Sequence, residues 1–231
     1  MTKQILLLSN STVHGGGYLD FAESDIRDLL GNRKQVLFVP FALRDQDGYA
    51  SRARERFRLI GYEVVSLHCA ASMQSAVEEA EAIFIGGGNT FRLLKALYCH
   101  DLVNRIRLKG EAGMPYIGAS AGSNVACPTI KTTNDMPIVE PPSLNAIGLV
   151  PFQVNPHYQD PDPNSKHMGE TREERIIQFH EENSTPVIGL REGTLLRVTG
   201  DSVVLKGAAP ARIFCQGQQP FEIQSGESLR V

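Results

Sequence analysis

The sequence lacks any apolar run long enough to cross a membrane, and it lacks an excess of charge. Its apolar stretches are far shorter than the roughly 18 residues that a transmembrane helix needs, so no membrane partner is expected. The net charge is −3, which leaves no bulk positive potential to drive non-specific nucleic-acid binding. The apolar N-terminal stretch, residues 5–8, is shorter than the roughly 7 residues of a signal-peptide core. We therefore expect a cytoplasmic protein.

Cysteine is also scarce and widely spaced. The chain has four cysteines and no Cys-x-x-Cys pair of the kind that binds metals or does redox chemistry. We expect structural thiols in a reducing compartment and no bound metal. The four are Cys69, Cys99, Cys127 and Cys215.

What the sequence does contain is an alternation of short apolar runs and helical periods, in 231 residues that are 42% hydrophobic. Unbroken apolar runs are typical of strands that are covered on both faces, as in parallel sheets. We predict one α/β domain over residues 1–231, with a three-layer, mostly parallel sheet that binds ligands at the carboxyl ends of its strands. The predicted strands contain residues 5–8, 36–39, 64–67, 83–85 and 116–117.

The second half of the chain changes character. Seven of the 13 prolines fall within residues 137–163, and a loop-rich stretch of this length is expected to shape a site. The capping-box spacing Thr171-x-x-Glu174 then predicts a helix. The tail has short β-type runs between turn residues, which predicts antiparallel strands added to the sheet edge.

The strongest chemical signal is Gly118-Ala119-Ser120-Ala121-Gly122, which directly follows a predicted strand. Gly-x-Ser-x-Gly between a strand and a helix is the nucleophile elbow, where small neighbours permit a sharp turn that projects the serine hydroxyl. Ser120 is the predicted nucleophile, and the Ala121 N–H is placed to receive an oxyanion.

A nucleophilic serine needs a base, and His157 is the best candidate. It lies in a proline-bounded turn, Asn155-Pro156-His157, at the end of an apolar segment. The acid that would orient it has two candidates, Glu192 at another strand end and Asp135 in a loop, and the spacing does not choose between them. The order Ser, His, Glu differs from that of α/β-hydrolases, so such a triad belongs to another fold.

The turn Gly86-Gly87-Gly88-Asn89-Thr90 lies between a strand and a helix start, where backbone N–H groups can bind an anion. It lacks the spacings of a P-loop and of a dinucleotide fingerprint, and no cofactor is expected. Gly88 is the predicted second oxyanion donor. The arginines at positions 52, 54, 56 and 58 alternate with other residues near acidic ones, and we interpret them as a solvated helix face.

These motifs together resemble the peptidase E, or α-aspartyl dipeptidase, family. The resemblance spans nearly the whole chain in collinear order, and its most specific parts are Thr132-Thr133-Asn134-Asp135-Met136-Pro137-Ile138-Val139 and Asn155-Pro156-His157. It also includes Leu7-Leu8-Ser9-Asn10-Ser11, the two glycine-rich turns, Gly169-Glu170-Thr171-Arg172 and Glu192-Gly193.

The resemblance implies a flavodoxin-like, class I glutamine-amidotransferase-like fold and a serine hydrolase that cleaves dipeptides with an N-terminal aspartate. It places a Ser-His-Glu triad on Ser120, His157 and Glu192, with Asp135 as a rival for the acid. The sequence departs from the family's pattern at Ala119 and at Arg191, which could compete for the Glu192 carboxylate.

The resemblance implies a small peptide as the substrate, and the sequence does not decide whether the protein forms a homodimer. The aspartyl side chain of the peptide requires a cation, for which Arg172 is the candidate, and its free ammonium requires an anion, for which Asp135 is available. Asn89 is a further candidate substrate contact. Two alternatives remain: a related hydrolase of β-aspartyl or cyanophycin-like substrates, and a non-catalytic flavodoxin-like module that binds an anion or nucleotide.

Overall fold

Strands and helices alternate through the first half of the chain. The computed structural model describes residues 2–164, 166 and 168–229. The strands are β1 (Gln4–Leu8), β2 (Gln35–Val39), β3 (Glu63–Ser66), β4 (Ile83–Ile85), β5 (Tyr116–Ala119), β6 (Gln153–Pro156), β7 (Val187–Leu190), β8 (Thr194–Thr199), β9 (Ser202–Gly207), β10 (Ala211–Phe214), β11 (Phe221–Ile223) and β12 (Ser228–Leu229). The helices are α1 (Glu23–Leu30), α2 (Gln46–Leu59), α3 (Met73–Glu79), α4 (Thr90–Cys99), α5 (Val103–Glu111), α6 (Ala121–Ala126) and α7 (Arg172–Glu182).

The large sheet has eight strands in the order β12-β9-β8-β1-β5-β4-β2-β3. The five strands from β1 to β3 in this order are parallel to one another, and β8, β9 and β12 extend the sheet in antiparallel fashion. The carboxyl ends of β1, β5 and β4 therefore lie side by side. This is where the sequence predicts ligand binding.

Helices and a second sheet cover the two faces of the large sheet. On one face, α1 and α2 pack through residues such as Ile26 and Phe57 against Leu6 and Phe38. On the other face, α3 to α6 pack with the second sheet, and Ile188 and Ile213 join the same core as Leu7 and Ile85. The predicted three-layer α/β fold is confirmed.

The tail differs from the prediction in one respect. β8 and β9 extend the large sheet as expected, but β10 and β11 do not. β10 pairs with β7, which is parallel to β6, and β11 pairs with β10, so the four strands form a second sheet of order β11-β10-β7-β6. This second sheet gives β6 and β7 a shared carboxyl edge, where the chain continues to His157 and to Glu192.

Helix starts follow the capping rules that the sequence suggests. Ser72 accepts a hydrogen bond from the Ser75 N–H, and Thr171 and Glu174 form the predicted capping box at α7. At α4 the cap is Asn89, whose side chain accepts a hydrogen bond from the Arg92 N–H. Among the described residues, no helix has the length and apolar character needed to span a bilayer.

Candidate active site

Ser120 lies on a strained turn between β5 and α6. Its backbone has φ 51° and ψ −106°, a conformation that non-glycine residues rarely adopt. Its N–H donates to the Leu8 carbonyl at 3.0 Å, which ties the turn to the end of β1. The strand, the sharp turn and the helix are the structural context of a nucleophile elbow.

Close packing requires the glycine at position 122, two residues after Ser120. A side-chain carbon on Gly122 would collide with the Ile85 carbonyl oxygen at the end of β4. The neighbouring Ser123 hydroxyl is buried and lies 2.7 Å from the Leu8 carbonyl and 2.9 Å from the Gly118 carbonyl. Only small residues therefore fit at the start of α6, where the helix packs against the ends of β1 and β4. These contacts hold the turn that carries Ser120 in place.

His157 immediately follows β6 and also has a positive φ, 53°. Its N–H donates to the Ser9 hydroxyl at 2.9 Å, and that hydroxyl donates to the Leu190 carbonyl at 2.8 Å. Ser9 is fully buried at the end of β1. One serine side chain thus joins the carboxyl ends of β1, β6 and β7 and fixes the backbone that presents the imidazole.

The structure brings Ser120, His157 and Glu192 into one hydrogen-bonded series. His157 Nε2 lies 3.1 Å from Ser120 Oγ, and His157 Nδ1 lies 2.7 Å from Glu192 Oε1. The imidazole is 41% exposed and the Glu192 side chain 52% exposed. The tautomer with a proton on Nδ1 satisfies both contacts, since it donates to the carboxylate and accepts from the serine hydroxyl.

The turn that carries Glu192 is held by Asn10. The Gly193 N–H donates to Asn10 Oδ1 at 2.9 Å, and Asn10 Nδ2 donates to the Thr12 carbonyl at 2.8 Å. Asn10 is buried. The pair Ser9-Asn10 therefore positions both the histidine turn and the carboxylate turn, a function that the sequence analysis did not assign to it.

Arg191 is engaged elsewhere and does not take the Glu192 carboxylate. Its guanidinium donates two hydrogen bonds to Asp160, at 2.8 and 2.6 Å, and two to Glu222, at 2.8 and 3.0 Å. Hydrogen bonds from Arg191 lower the pKa of both carboxyl groups. Arg191 thus ties the segment after His157 to β11.

Asp135 lies at the start of α4. Its Oδ2 accepts from the Thr90 N–H at 2.7 Å and also from the hydroxyls of Thr90 and Thr133. The neighbouring Asn134 donates to the Pro156 carbonyl at 2.7 Å. The run that contains Asp135 therefore braces the turn before His157, whereas the carboxylate that contacts the imidazole is that of Glu192.

Of the two residues predicted to supply oxyanion-binding amides, Ala121 directly follows Ser120 and Gly88 lines the same pocket as Ser120. A side-chain carbon at the neighbouring Gly87 would lie 3.3 Å from Ser120 Cβ, so the glycine turn runs directly beside the serine. Gly88 has φ 134°, and a side-chain carbon there would come within 2.7 Å of the Ala42 carbonyl. Neither the Gly88 nor the Ala121 amide has a hydrogen-bond partner among the described residues.

The two remaining predicted substrate contacts have different environments. Asn89 uses its side chain within the fold, since it caps α4 and donates to the Met136 carbonyl at 2.8 Å. Arg172, the first residue of α7, is half-buried. Burial and the nearby Arg175 lower its pKa, whereas the charge of Asp135 raises it, so Arg172 and Asp135 lie within electrostatic range of each other.

A pocket of about 250 Å³ opens in front of Ser120 and His157. Arg52, which the sequence analysis assigned to a solvated helix face, lines this pocket together with Tyr18 and Tyr49. Arg52 lies one helical turn after Tyr49 on α2, and that i, i+3 spacing beside a buried tyrosine is the signal that could have identified it. The next basic residue on this face, Arg56, is paired with Asp20 and Glu23.

The cysteines have no part in this geometry. All four are free. Cys127 is buried, and burial raises the pKa of its thiol to about 12, so it stays a protonated thiol at neutral pH.

A strand-end serine that contacts a histidine, which in turn contacts a carboxylate, is the side-chain arrangement of serine-type hydrolases. A family model described as Peptidase family S51 matches residues 5–206. The chain belongs to peptidase family S51.

Individual relatives agree with this membership. The chain is 52% identical over 225 residues to Peptidase E of Streptomyces coelicolor, which covers 97% of this chain and 93% of the relative. It is 49% identical over 215 residues to the probable alpha-aspartyl dipeptidase of Drosophila melanogaster, covering 92% of this chain and 90% of the relative. The fold matches the crystal structure of a peptidase from an acI-B1 Actinobacterium with a TM-score of 0.74 and 20% identity, over 100% of this chain and 98% of that one. Membership in a peptidase family favours an enzyme over a non-catalytic binding module.

Proposed function

We propose that this protein is a serine dipeptidase that hydrolyses dipeptides with an N-terminal aspartate, through a triad of Ser120, His157 and Glu192. The observation that carries the proposal is the hydrogen-bonded series from Ser120 Oγ through the imidazole to Glu192 Oε1. The substrate class rests on the relatives, which are named Peptidase E and probable alpha-aspartyl dipeptidase. The four free cysteines fit the proposed cytoplasmic location.

In the first step, Ser120 Oγ attacks the scissile carbonyl carbon as His157 Nε2 takes the hydroxyl proton. The carbonyl oxygen becomes an oxyanion that the Gly88 and Ala121 amides stabilise. The carbon–nitrogen bond then breaks, His157 returns the proton to the leaving amine, and an aspartyl ester of Ser120 remains. Water loses a proton to His157 and attacks this ester, which releases aspartate and restores the serine.

Glu192 acts through His157. Its Oε1 accepts a hydrogen bond from the Nδ1–H, with 2.7 Å between Nδ1 and Oε1, which holds the imidazole in the tautomer whose Nε2 can accept the serine proton. It also stabilises the imidazolium that forms in the transition state. Asp135 is not the proposed acid, since its Oδ2 is occupied by Thr90 and Thr133.

Arg172 and Asp135 are the proposed contacts for the aspartyl residue. A free N-terminal aspartate carries an ammonium and a carboxylate a few bonds apart, so it needs an anion and a cation that are close together. Asp135 and Arg172 lie within electrostatic range of each other. A guanidinium can bind the side-chain carboxylate in bidentate fashion, and Asp135 can bind the ammonium.

The choice of acid is tested with Glu192→Ala and Asp135→Ala. We expect Glu192→Ala to lower kcat for Asp-Leu by roughly 10³-fold or more, because the imidazole loses its orientation and its counter-charge. Asp135→Ala should act mostly on KM, because it removes a substrate contact. A kcat loss confined to Asp135→Ala, or equal in the two variants, would contradict this assignment.

A further inference from the structure

The pocket in front of Ser120 contains an arginine, Arg52, whose charge no described residue neutralises by an ion pair. Among the described residues that line this pocket, Arg52 is the one lysine or arginine, and none is an aspartate or glutamate. Within the described residues, Arg52 makes no ion pair and no hydrogen bond. By contrast, Arg56 on the same helix contacts Glu23 at 2.8 Å and Asp20 at 3.2 Å.

Arg52 lies over the pocket wall. Its guanidinium carbon is 6.0 Å from the centre of the Tyr18 ring, a cation–π distance. Burial is the main effect on the pKa of the Tyr18 and Tyr49 hydroxyls and raises both, whereas the Arg52 charge lowers both. The guanidinium is therefore close enough for both tyrosine hydroxyls to sense its charge.

Tyr18 and Tyr49 form an uncharged wall of the pocket beside Arg52. The Tyr18 hydroxyl oxygen is buried. Burial, and after it the neighbouring Tyr49 hydroxyl, raises the pKa of Tyr18 well above the ordinary value, and burial also raises the pKa of Tyr49. Both hydroxyls therefore keep their protons, and neither ring neutralises the Arg52 charge.

A guanidinium in a pocket whose described lining has no acidic side chain fits a carboxylate. An aspartyl dipeptide has two carboxylates: one on the aspartyl side chain, which the Arg172–Asp135 pair is proposed to bind, and one at the C-terminus of the leaving residue. The pocket volume of about 250 Å³ is below the roughly 300–1,000 Å³ of sites for drug-sized ligands, which suits a single residue.

We propose that Arg52 binds the C-terminal carboxylate of the leaving residue. The inference rests on the proposed dipeptidase function and deepens it. It gives a physical reason for the restriction to dipeptides, because a longer peptide carries its terminal carboxylate beyond the pocket and places a neutral amide against Arg52.

The experiment compares Asp-Leu with Asp-Leu amide, which differ only in the terminal charge. The wild type should cleave Asp-Leu with a kcat/KM roughly tenfold or more above that for the amide. Arg52→Gln should raise KM for Asp-Leu by roughly tenfold, leave kcat nearly unchanged, and leave the amide unaffected. Arg52→Lys should retain part of the preference. Arg54→Gln, an exposed arginine on the same helix, is the matched control and should behave as the wild type.

Two results would overturn the inference. Equal losses on Asp-Leu and on its amide would mean that Arg52 binds the aspartyl side chain or acts on the fold. Unchanged kinetics on Asp-Leu would mean that Arg52 binds nothing in the substrate.

A binding measurement separates this inference from the proposed function. Calorimetry of Asp-Leu and its amide with Ser120→Ala, with and without Arg52→Gln, needs no turnover. Tighter binding of Asp-Leu that Arg52→Gln abolishes supports the inference even if the wild type releases no aspartate, a result that would contradict the proposed function alone. Equal binding of the two ligands by Ser120→Ala overturns the inference.

Discussion

Strain at single residues coincides with the proposed chemistry. Four described non-glycine residues have positive φ: Leu19, Asp101, Ser120 and His157. Two of these four are the residues that contact each other through Ser120 Oγ and His157 Nε2. Each such conformation costs on the order of 1–3 kcal/mol and persists only where the surroundings enforce it. The buried hydrogen bonds of Ser9 and Ser123 supply that enforcement.

Substitution of Ser9 tests how far catalysis depends on the position of His157, because Ser9 itself takes no part in the proposed reaction. Ser9→Ala leaves the His157 N–H and the Leu190 carbonyl without their partner, so we expect a loss of stability of about 1–3 kcal/mol. The His157 turn loses its link to β1, and kcat for Asp-Leu should fall by roughly tenfold or more with little change in KM. Steady-state kinetics and urea unfolding measure the two effects.

The control for Ser9→Ala is Ser66→Ala. Ser66 is also buried at a strand end, where its hydroxyl lies 2.7 Å from His68 Nδ1, away from the proposed triad. It should lose stability with unchanged kcat. If both variants lose kcat in proportion to their stability, Ser9 is not a positioning residue.

Arg172 should determine the preference for aspartate. Arg172→Ala removes the proposed partner of the side-chain carboxylate, and the ratio of kcat/KM for Asp-Leu over Ala-Leu should fall by roughly 10- to 100-fold. Arg107→Ala, a change at a partly exposed arginine on α5, should leave the ratio unchanged. Retention of the aspartyl preference in Arg172→Ala would remove this residue from substrate recognition.

At the scale of elements, the site forms where two sheets present their carboxyl ends to each other. β1, β5 and β4 supply Ser9, Ser120 and the glycine turn from the large sheet. β6 and β7 supply His157 and Glu192 from the small one, with Pro156 opposite Leu190 in register. The distance between Ser120 and His157 therefore depends on how the two sheets pack. The Ser9 hydroxyl links the two sheets directly, since it accepts from the His157 N–H and donates to the Leu190 carbonyl.

Arg191 stabilises the small sheet, and its contribution should depend on pH. Arg191 lowers the pKa of Asp160 and Glu222. The stabilisation from these ion pairs is therefore fully present at pH values above the pKa of the two groups in the unfolded chain, about 3.9 and 4.3. It is lost as the pH falls through the lower folded values. Both carboxylates are partly exposed, so we expect Arg191→Gln to cost only about 1 kcal/mol at pH 7.

Urea unfolding at pH 7 and near pH 2.5 measures this contribution. The gap in unfolding free energy between the wild type and Arg191→Gln should narrow at the lower pH. Arg175→Gln, in an exposed pair with Glu170, should show almost no gap at either pH. If the difference in unfolding free energy between the wild type and Arg191→Gln is the same at both pH values, the arginine acts by packing against the Tyr158 ring instead.

The elements themselves could be predicted from the sequence, because period and capping are local properties. The apolar runs and the Thr171–Glu174 capping box each lie within a few residues. The second sheet could not be predicted in this way, because the partner of β10 is β7 rather than the large sheet, and nothing local distinguishes these edges.

At the scale of the whole molecule, the limits of sequence reasoning follow from long-range contacts. Ser120 and His157 could be identified as candidates because each has a local signature. The choice between Glu192 and Asp135 depends on which loop meets the imidazole, and that is set by bonds such as Ser9 to Leu190, 181 residues apart. The spacing from Tyr49 is a weak local signal for Arg52, and the folded structure separates it from Arg56, which is paired with Asp20 and Glu23.

The whole molecule also limits what can be cleaved. The pocket beside Ser120 has a volume of about 250 Å³, and among its described lining residues Arg52 has no acidic partner. We therefore expect selectivity for short acidic peptides.

The most direct test of the account is the release of free aspartate from Asp-Leu by the wild type and by Ser120→Ala, with Glu-Leu and β-Asp-Leu as controls. The account predicts that the wild type prefers Asp-Leu and that the variant loses roughly 10⁴-fold or more in kcat. Cleavage of β-Asp-Leu alone would keep the mechanism and contradict the proposed substrate. Undiminished release by Ser120→Ala, or no release from any of the three by the wild type, would contradict the central claim.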